Sequence, residues 1–313
     1  AAVTTVGAQV RSEPAGPATW RRAIRLHQWA KNGLLLLPAI PLLPVLDGGQ
    51  WQNLALGFVS FGLCASSVYL LNDMLDLDAD RAHPTKRQRP LAAGLIPLPA
   101  AAVLAGLMLL AALLLAFVGV GPLFGGVLLG YWALTNAYSF KLKRLAGLDV
   151  VTLAMLYTMR LFGGSAAILV PPSFWILAFS MFLFFALAVA KRAVELEKLS
   201  HSPGGSGGSR APGRGYGVAD LPMLSAQGVA SSQIAVLVFA LYINDSTAAS
   251  HFHRPEALWA ICPLLLLWVN RVWLFVARGQ LNEDPVLFAL RDRFSHVLVA
   301  GAAVCVFIAL AAP

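Results

Sequence analysis

Charged side chains are scarce in this chain, and their scarcity excludes an ordinary soluble domain. Asp, Glu, Lys and Arg make up 12% of the 313 residues and apolar residues make up 58%, whereas a soluble domain carries about 25% charged residues. Cysteine is also rare. Cys64, Cys262 and Cys305 all lie in apolar stretches, so the sequence supports neither a disulfide framework nor a zinc site. The chain is predicted to be a polytopic membrane protein.

Apolar stretches long enough to span a bilayer recur along the chain, and no strand pattern accompanies them. Nine transmembrane helices are predicted, at 33–46, 54–71, 98–119, 122–138, 148–169, 173–190, 229–243, 256–277 and 294–312. Residues 1–19 are polar and irregular, so we expect a flexible N-terminal segment without a cleavable signal peptide. Residues 20–313 are expected to form one all-α transmembrane catalytic domain.

The net charge of +8 is distributed as in a membrane protein and does not indicate nucleic-acid binding. Twenty of the 23 basic residues lie before the first span or in alternate loops. The positive-inside rule therefore predicts that the N-terminus and these loops are cytoplasmic. The opposite loops are short, so the active site is expected on the cytoplasmic side of a bacterial inner (plasma) membrane.

Four carboxylates follow the second span, where an ionised Asp near a bilayer is costly unless it is compensated. At about 100° per residue, Asn72, Asp76 and Asp80 fall at roughly 0°, 40° and 80° and Asp73 at roughly 100°, on one helix face. Asp78 points to roughly 240° in the same projection. Carboxylate oxygens are the ligands that Mg²⁺ prefers. A solvated acidic helix end is the alternative interpretation.

A basic loop follows these carboxylates directly, with Lys86 and Arg89 among its cations. Cations beside a carboxylate–metal site suit an anion that bridges the two, such as a diphosphate. Positive-inside charge with local ion pairing would give a similar pattern.

Three further polar groups interrupt the apolar pattern. Lys191, Arg192 and Glu195 end the sixth span, where a salt-bridged helix end is the alternative. Tyr138, Lys141 and Lys143 precede Asp149 at the start of the fifth span, and Arg160 lies inside that span and needs a partner or an anion. Asp284 and Asp292 flank the loop before the last span.

Two other segments have a distinctive composition. Residues 20–31 are predicted to form a basic interfacial helix that ends at Lys31, either as a membrane anchor or with a role in substrate binding. Residues 200–217 contain mainly Gly, Ser, Pro and Arg, which is typical of a flexible cytoplasmic loop. Such a loop either closes over a site or is disordered.

The spacing Asn72-Asp73-x-x-Asp76-x-x-x-Asp80, with Lys86 and Arg89-Pro90 after it, resembles the first aspartate-rich motif of the UbiA superfamily of intramembrane prenyltransferases. The resemblance covers residues 20–312. It implies nine helices around a central cavity, with Mg²⁺ and a diphosphate bound at a cytoplasmic cap. Asp73, Asp76 and Asp80 would hold the metal, Asn72 would orient it, and Lys86 and Arg89 would stabilise the leaving charge.

The sequence departs from that family after span 6, where aromatic prenyltransferases carry a second Asp-rich motif and this chain has Lys191-Arg192-x-x-Glu195. This is similar to the branch typified by decaprenyl-phosphate phosphoribosyltransferase. The similarity implies transfer of 5-phosphoribosyl from phosphoribosyl pyrophosphate to a polyprenyl phosphate. Glu195 is then a candidate for a ribose hydroxyl. Candidates for the lipid phosphate or the 5-phosphate are Lys141, Lys143, Lys191 and Arg192.

Other functions are open at this point. Transfer of a prenyl group to an aromatic or lipid acceptor would use the same carboxylate–Mg²⁺ site. A transporter would need charges deep in several spans, yet only Arg160 and Arg271 lie there. An inactive lipid-binding scaffold would not need the acidic face. A homo-oligomer is compatible with the sequence.

Overall fold

The computed structural model describes residues 16–83, 85–201, 210–211, 213–281 and 285–311. Part of the predicted N-terminal segment (1–15) and Asp284 lie outside these residues. The chain is all-α, and 83% of the described residues are helical. Its helices are α1 Pro17–Ala23, α2 Gly48–Leu75, α3 Leu77–Ala82, α4 Leu98–Leu114, α5 Pro122–Phe140, α6 Leu148–Ile168, α7 Phe174–Ser200, α8 Leu221–Ile243, α9 Ser246–His251, α10 Ile261–Ala277, α11 Pro285–Arg291 and α12 Arg293–Leu310.

Seven helical segments within the described residues are long and apolar enough to cross a membrane: Gly48–Leu75, Leu98–Val120, Leu148–Ile168, Phe174–Ser200, Val218–Ile243, Pro255–Ala277 and Arg293–Leu310. These account for seven of the nine predicted spans. The predicted span 122–138 is the helix α5, but polar residues such as Thr135 and Asn136 make it less apolar than the seven. Both side chains bond to carbonyls of the preceding turn, at Tyr131 and Trp132.

The predicted span 33–46 takes a different form, a 3₁₀ helix over Leu26–Leu42. Pro38 and Pro41 lie inside it, and neither has an N–H to donate to an α-helical ladder. The predicted interfacial helix 20–31 is also wrong as a single helix. The helix α1 ends at Ala23, and Arg25 then turns the chain in the left-handed region, with φ 52° and ψ 48°.

Helix ends are fixed by local chemistry. Asp47 caps α2 by accepting the Gln50 N–H at 2.8 Å, while the Gln50 side chain accepts the Asp47 N–H at 3.1 Å. This reciprocal pair satisfies two backbone donors that the helix itself leaves open. Asp292 caps α12 through the Ser295 N–H at 2.7 Å. The helices α2 and α6 are the most buried of the seven spans, with α6 against the 3₁₀ helix and α7 against α8.

Gly164 sets how closely α6 approaches the 3₁₀ helix. A Cβ at this position would lie 2.0 Å from the Leu35 carbonyl oxygen. We therefore expect Gly164→Ala to lower the free energy of unfolding by about 1–3 kcal/mol, because two backbones would have to separate. The measurement is the thermal unfolding midpoint in detergent.

Gly106→Ala is the matched control for Gly164→Ala. A Cβ at Gly106 meets no atom within 4 Å, and Ala has the higher helix propensity. Equal midpoints for the two variants would contradict the conclusion that the contact between Gly164 and Leu35 sets how closely α6 approaches the 3₁₀ helix.

Candidate active site

Asp73 and Asp80 meet at one arginine. Arg89 Nη1 lies 3.1 Å from Asp73 Oδ1 and 2.6 Å from Asp80 Oδ2. The two carboxylates are 3% and 2% exposed, and their seven-residue separation is close to two helical turns. The predicted pairing of these two carboxylates on one face and of Arg89 beside them is therefore present in the fold.

Arg25 is a second cation on this carboxylate pair. Its Nη2 lies 2.5 Å from Asp73 Oδ1 and its guanidinium lies over the Tyr69 ring, 4.8 Å from the centroid. A left-handed backbone is uncommon for a residue other than glycine, and Arg25 combines this backbone with the contact to Asp73. Arg25 is not among the site residues predicted from the sequence.

The helix is interrupted at Asp76, which ends α2 and precedes α3 with φ −93° and ψ 14°. The prediction that Asp76 lies with Asp73 and Asp80 on one face of an uninterrupted helix is therefore wrong. Asp76 has a side chain 48% exposed, and its Oδ2 lies 3.7 Å from Lys143 Nζ. This pair links the carboxylate cluster to the loop between α5 and α6.

The remaining predicted residues of this region lie around the pair. Asn72 is partly buried at the end of α2, and Lys86 is exposed in a short 3₁₀ turn, Lys86–Gln88. Lys141 is exposed at the end of α5. Among the described residues, Arg25 and Arg89 are the cations that contact Asp73.

A second cluster joins α6, α7 and the segment after α7. Arg192 is 2% exposed; its Nε lies 3.2 Å from Asp149 Oδ2, and its Nη1 binds Glu195 Oε2. Asp149 is fully buried, so Arg192 supplies the charge that compensates it. Lys191 is partly buried beside Arg192.

Two residues in this cluster were not predicted. Tyr216 donates its hydroxyl hydrogen to Asp149 Oδ1 at 2.8 Å, and Arg214 donates to the Tyr138 hydroxyl at 3.0 Å. Burial raises the pKa of Tyr216 to about 12, so the hydroxyl keeps its proton at neutral pH. The sequence signal for these two residues is that an arginine and an aromatic residue interrupt a Gly-rich stretch.

A third group lies inside the bundle around Arg160. Its Nε donates to Asn32 Oδ1 at 3.1 Å and its Nη2 to the Tyr131 hydroxyl at 3.1 Å. Arg160 and Lys31 both lie near the Tyr157 ring, at 5.7 Å and 5.5 Å from its centroid. Neutral oxygens and aromatic faces thus stabilise the buried guanidinium.

Within the described part of the chain, no three His, Cys, Asp or Glu side chains are placed to hold a metal ion. Asp73 and Asp80 still fit Mg²⁺, because this ion is usually held by one or two carboxylates and completes its shell with water and substrate phosphate. Both carboxylates lie within hydrogen-bonding distance of one guanidinium nitrogen, so they converge on one cation position.

Comparisons with known proteins give a consistent result. The model of the UbiA prenyltransferase family matches residues 35–299. The uncharacterized protein y4nM of Sinorhizobium fredii is 35% identical over 90% of this chain and 54% of that protein. Nodulation protein NoeC of Azorhizobium caulinodans is 31% identical over 91% of both chains.

The decaprenyl-phosphate phosphoribosyltransferase of Mycolicibacterium smegmatis is 40% identical over 182 residues, 56% of each chain. The match to that enzyme thus spans about half of each chain, and this chain spans about half the length of y4nM. A UbiA homolog from Archaeoglobus fulgidus, solved with GPP and Mg²⁺, superposes with a TM-score of 0.66 at 17% identity, covering 92% of this chain and 99% of that one. This likeness establishes the fold.

Proposed function

We propose a specific reaction for this chain, which belongs to the UbiA prenyltransferase family of membrane transferases. It transfers 5-phosphoribosyl from phosphoribosyl pyrophosphate to a polyprenyl phosphate. The observation that carries the proposal is the second cluster, which joins α6, α7 and the segment after α7. Near the end of α7, where aromatic prenyltransferases carry a second Asp-rich motif, this chain has Arg192 and Glu195. Glu195 pairs with Arg192 and Arg214, and Arg192 also pairs with Asp149 of α6. Such a cluster suits a donor that carries a further phosphate. The partial match to a phosphoribosyltransferase supports the same choice.

In this proposal Asp73 and Asp80 hold Mg²⁺, which would neutralise charge on the pyrophosphate as it leaves. Arg25 and Arg89 are partly exposed and can donate to the same phosphate oxygens. Asp76 lies at the helix interruption beside Lys143, so both are placed at the edge of the site. Lys86 and Lys141 are candidates for the outer face of the donor.

The reaction breaks the bond between the ribose C1 and the pyrophosphate oxygen, and the electron pair leaves with pyrophosphate. An oxygen of the lipid phosphate then forms the new bond to C1. The acceptor is already an anion, so the site needs no strong general base. Glu195 is a candidate acceptor for a ribose hydroxyl, and Lys191 is a candidate for the lipid phosphate. The site is proposed to face the cytoplasm, because the positive-inside rule predicts that the basic loops lie there.

The test is an assay of purified protein with radiolabelled phosphoribosyl pyrophosphate, decaprenyl phosphate and Mg²⁺, followed by organic extraction. We expect label in a lipid-linked ribose phosphate. A parallel reaction offers geranyl diphosphate and an aromatic acid. A product in the second reaction alone would overturn the proposal and favour prenyl transfer.

Metal and donor are expected to bind together. Asp73, Asp80, Arg25 and Arg89 already balance in charge, so Mg²⁺ alone would add an uncompensated double charge, and a pyrophosphate removes that excess. We expect the donor with Mg²⁺ to stabilise the protein by roughly 2.7 kcal/mol at 100 times its dissociation constant, and Mg²⁺ alone to stabilise it much less.

The measurement is the unfolding midpoint with Mg²⁺, with donor and with both. Addition of EDTA to the third sample should return the midpoint to that of donor alone. If Mg²⁺ alone raised the midpoint as much as Mg²⁺ with donor, the argument that the two aspartates and two arginines already balance in charge would be contradicted.

A further inference from the structure

The described residues 210, 211 and 213–217, called here the 210–217 hairpin, form a docked turn. Arg210 and Gly217 make an antiparallel bridge, and the Ala211 N–H donates to the Tyr216 carbonyl at 3.0 Å. Composition alone predicts a flexible loop over 200–217. The hairpin differs because non-local contacts hold it. Of the other predicted positions, Ser200 and His201 lie at the end of α7, and 202–209 and 212 lie outside the described residues.

Gly215 packs this hairpin against the loop between α5 and α6. A Cβ at Gly215 would lie 2.6 Å from the Ala146 nitrogen and 2.9 Å from the Arg144 carbonyl oxygen. The two backbones are therefore in direct contact. The same loop carries Lys143, which pairs with Asp76, so the hairpin is tied to the carboxylate cluster.

Tyr216 anchors the hairpin from inside. It is 6% exposed, its hydroxyl accepts the Gly147 N–H at 2.6 Å, and it donates to Asp149. Removal of this hydroxyl would leave a backbone donor and a carboxylate oxygen without their partner. The Tyr216 ring packs in the cluster that contains Val189 and Trp273, so a phenylalanine would keep the packing and lose only the hydrogen bonds.

Arg214 is the arginine of this cluster that keeps an accessible edge. Its side chain is 20% exposed, compared with 2% for Arg192. It contacts Tyr138 through Nη1, and its Nε lies 3.8 Å from Glu195 Oε1. The Glu195 contact is long for a hydrogen bond, and a guanidinium has five N–H donors. Arg214 therefore retains capacity to bind an anion.

We propose that Arg214 binds the phosphate monoester end of the donor, and that Tyr216 is the positioning residue that holds Arg214 over the site. This rests on the proposed function. The pyrophosphate end is assigned to Asp73, Asp80 and their metal, and the ribose to Glu195. The 5-phosphate therefore needs a cation next to Glu195. Arg192 is enclosed by Asp149 and Glu195, so it cannot bind this phosphate, and Arg214 is the remaining arginine of the cluster.

The experiment compares Arg214→Gln and Tyr216→Phe with Arg210→Gln, which removes the same charge from an exposed position on the same hairpin. Arg214→Gln should raise KM for phosphoribosyl pyrophosphate by roughly 10- to 100-fold, the range for loss of a charged hydrogen bond. The KM for polyprenyl phosphate should stay unchanged, and Arg214→Lys should recover part of the loss. Tyr216→Phe should raise the donor KM, and Arg210→Gln should leave it unaltered.

Limited trypsin digestion of the full chain gives a second readout that needs no turnover. Cleavage after Arg214 should be faster in Tyr216→Phe than in the wild type. Phosphoribosyl pyrophosphate with Mg²⁺ should slow cleavage in the wild type more than inorganic pyrophosphate does. Equal protection by the two would overturn the assignment of Arg214 to the 5-phosphate.

The two proposals fail in different ways. A wild-type protein that makes no lipid-linked ribose phosphate overturns the proposed function. An active wild type whose Arg214→Gln variant keeps its donor KM, or changes only the acceptor KM, overturns this inference alone. Unchanged trypsin cleavage and donor KM in Tyr216→Phe would overturn the positioning role.

Discussion

Replacement of Asp73 by Asn, or of Asp80 by Asn, should reduce turnover by about 10²- to 10³-fold, as expected when one preorganised electrostatic group is lost from a catalytic site. Both carboxylates are buried and contact Arg89, and both are needed to hold the proposed metal. The amide keeps the shape of the side chain and removes the charge. The measurement is the initial rate of lipid-linked product formation at saturating Mg²⁺ and substrates.

The fold should survive these two changes. Arg25 and Arg89 are 23% and 31% exposed, so either can be rehydrated when one carboxylate is neutralised. We therefore expect unfolding midpoints within a few degrees of the wild type, a shift that corresponds to about 1 kcal/mol or less.

Asp78→Asn is the matched control, because Asp78 is exposed in the same acidic run. Its turnover should remain within about twofold of the wild type, as is usual for a surface position away from the site. If Asp73→Asn and Asp80→Asn behaved like Asp78→Asn, the carboxylate pair would not be the catalytic centre.

The carboxylate pair shows what a local sequence pattern can predict. The spacing of Asp73 and Asp80 is a property of a helix, and Arg89 follows nine residues later on the same polypeptide segment. Helical periodicity and chain proximity were therefore enough to group them. The interruption at Asp76 changes the local backbone, but it leaves the two buried carboxylates on one side.

The missed residues depend on tertiary contacts. Arg25 reaches Asp73 across 48 positions of sequence and has a left-handed backbone, and composition carries no signal for either feature. Tyr216 reaches Asp149 across 67 positions from a stretch whose Gly and Ser content indicates flexibility. Propensity describes the isolated chain, whereas one buried tyrosine and one glycine contact hold the 210–217 hairpin.

The 3₁₀ helix at Leu26–Leu42 is a related case. The sequence predicted a transmembrane span nearby from its apolar content, and Pro38 and Pro41 were visible in it. What periodicity could not supply was the close approach of α6 at Gly164. That contact is possible because Gly164 on α6 has no side chain.

Arg192→Met should be the most destabilising single change in the second cluster, at about 3–5 kcal/mol, because it leaves a buried charge without its partner. Asp149 is fully buried and lies 3.2 Å from the Arg192 Nε. Glu195, which is 39% exposed, can be rehydrated and should contribute little. The measurement is the unfolding midpoint and the yield of monodisperse protein in detergent.

The double variant Asp149→Asn/Arg192→Met separates compensation of a buried charge from binding of substrate. It removes both charges, and the new side-chain amide can still accept the Tyr216 hydroxyl through its carbonyl oxygen. We expect it to recover most of the lost stability, because replacement of both members of a buried ion pair is often nearly neutral. The single variant Asp149→Asn should be milder than Arg192→Met, because the guanidinium keeps Glu195.

The rescued protein then tests whether Arg192 touches the donor. If Arg192 acts only through Asp149 and Glu195, the double variant should fold and turn over, with a donor KM raised less than in Arg214→Gln. A folded double variant whose donor KM rises more than that of Arg214→Gln would place the phosphate on Arg192 instead. A double variant that stays as unstable as Arg192→Met would show that the stability does not come from compensation of Asp149, since both charges would then be absent.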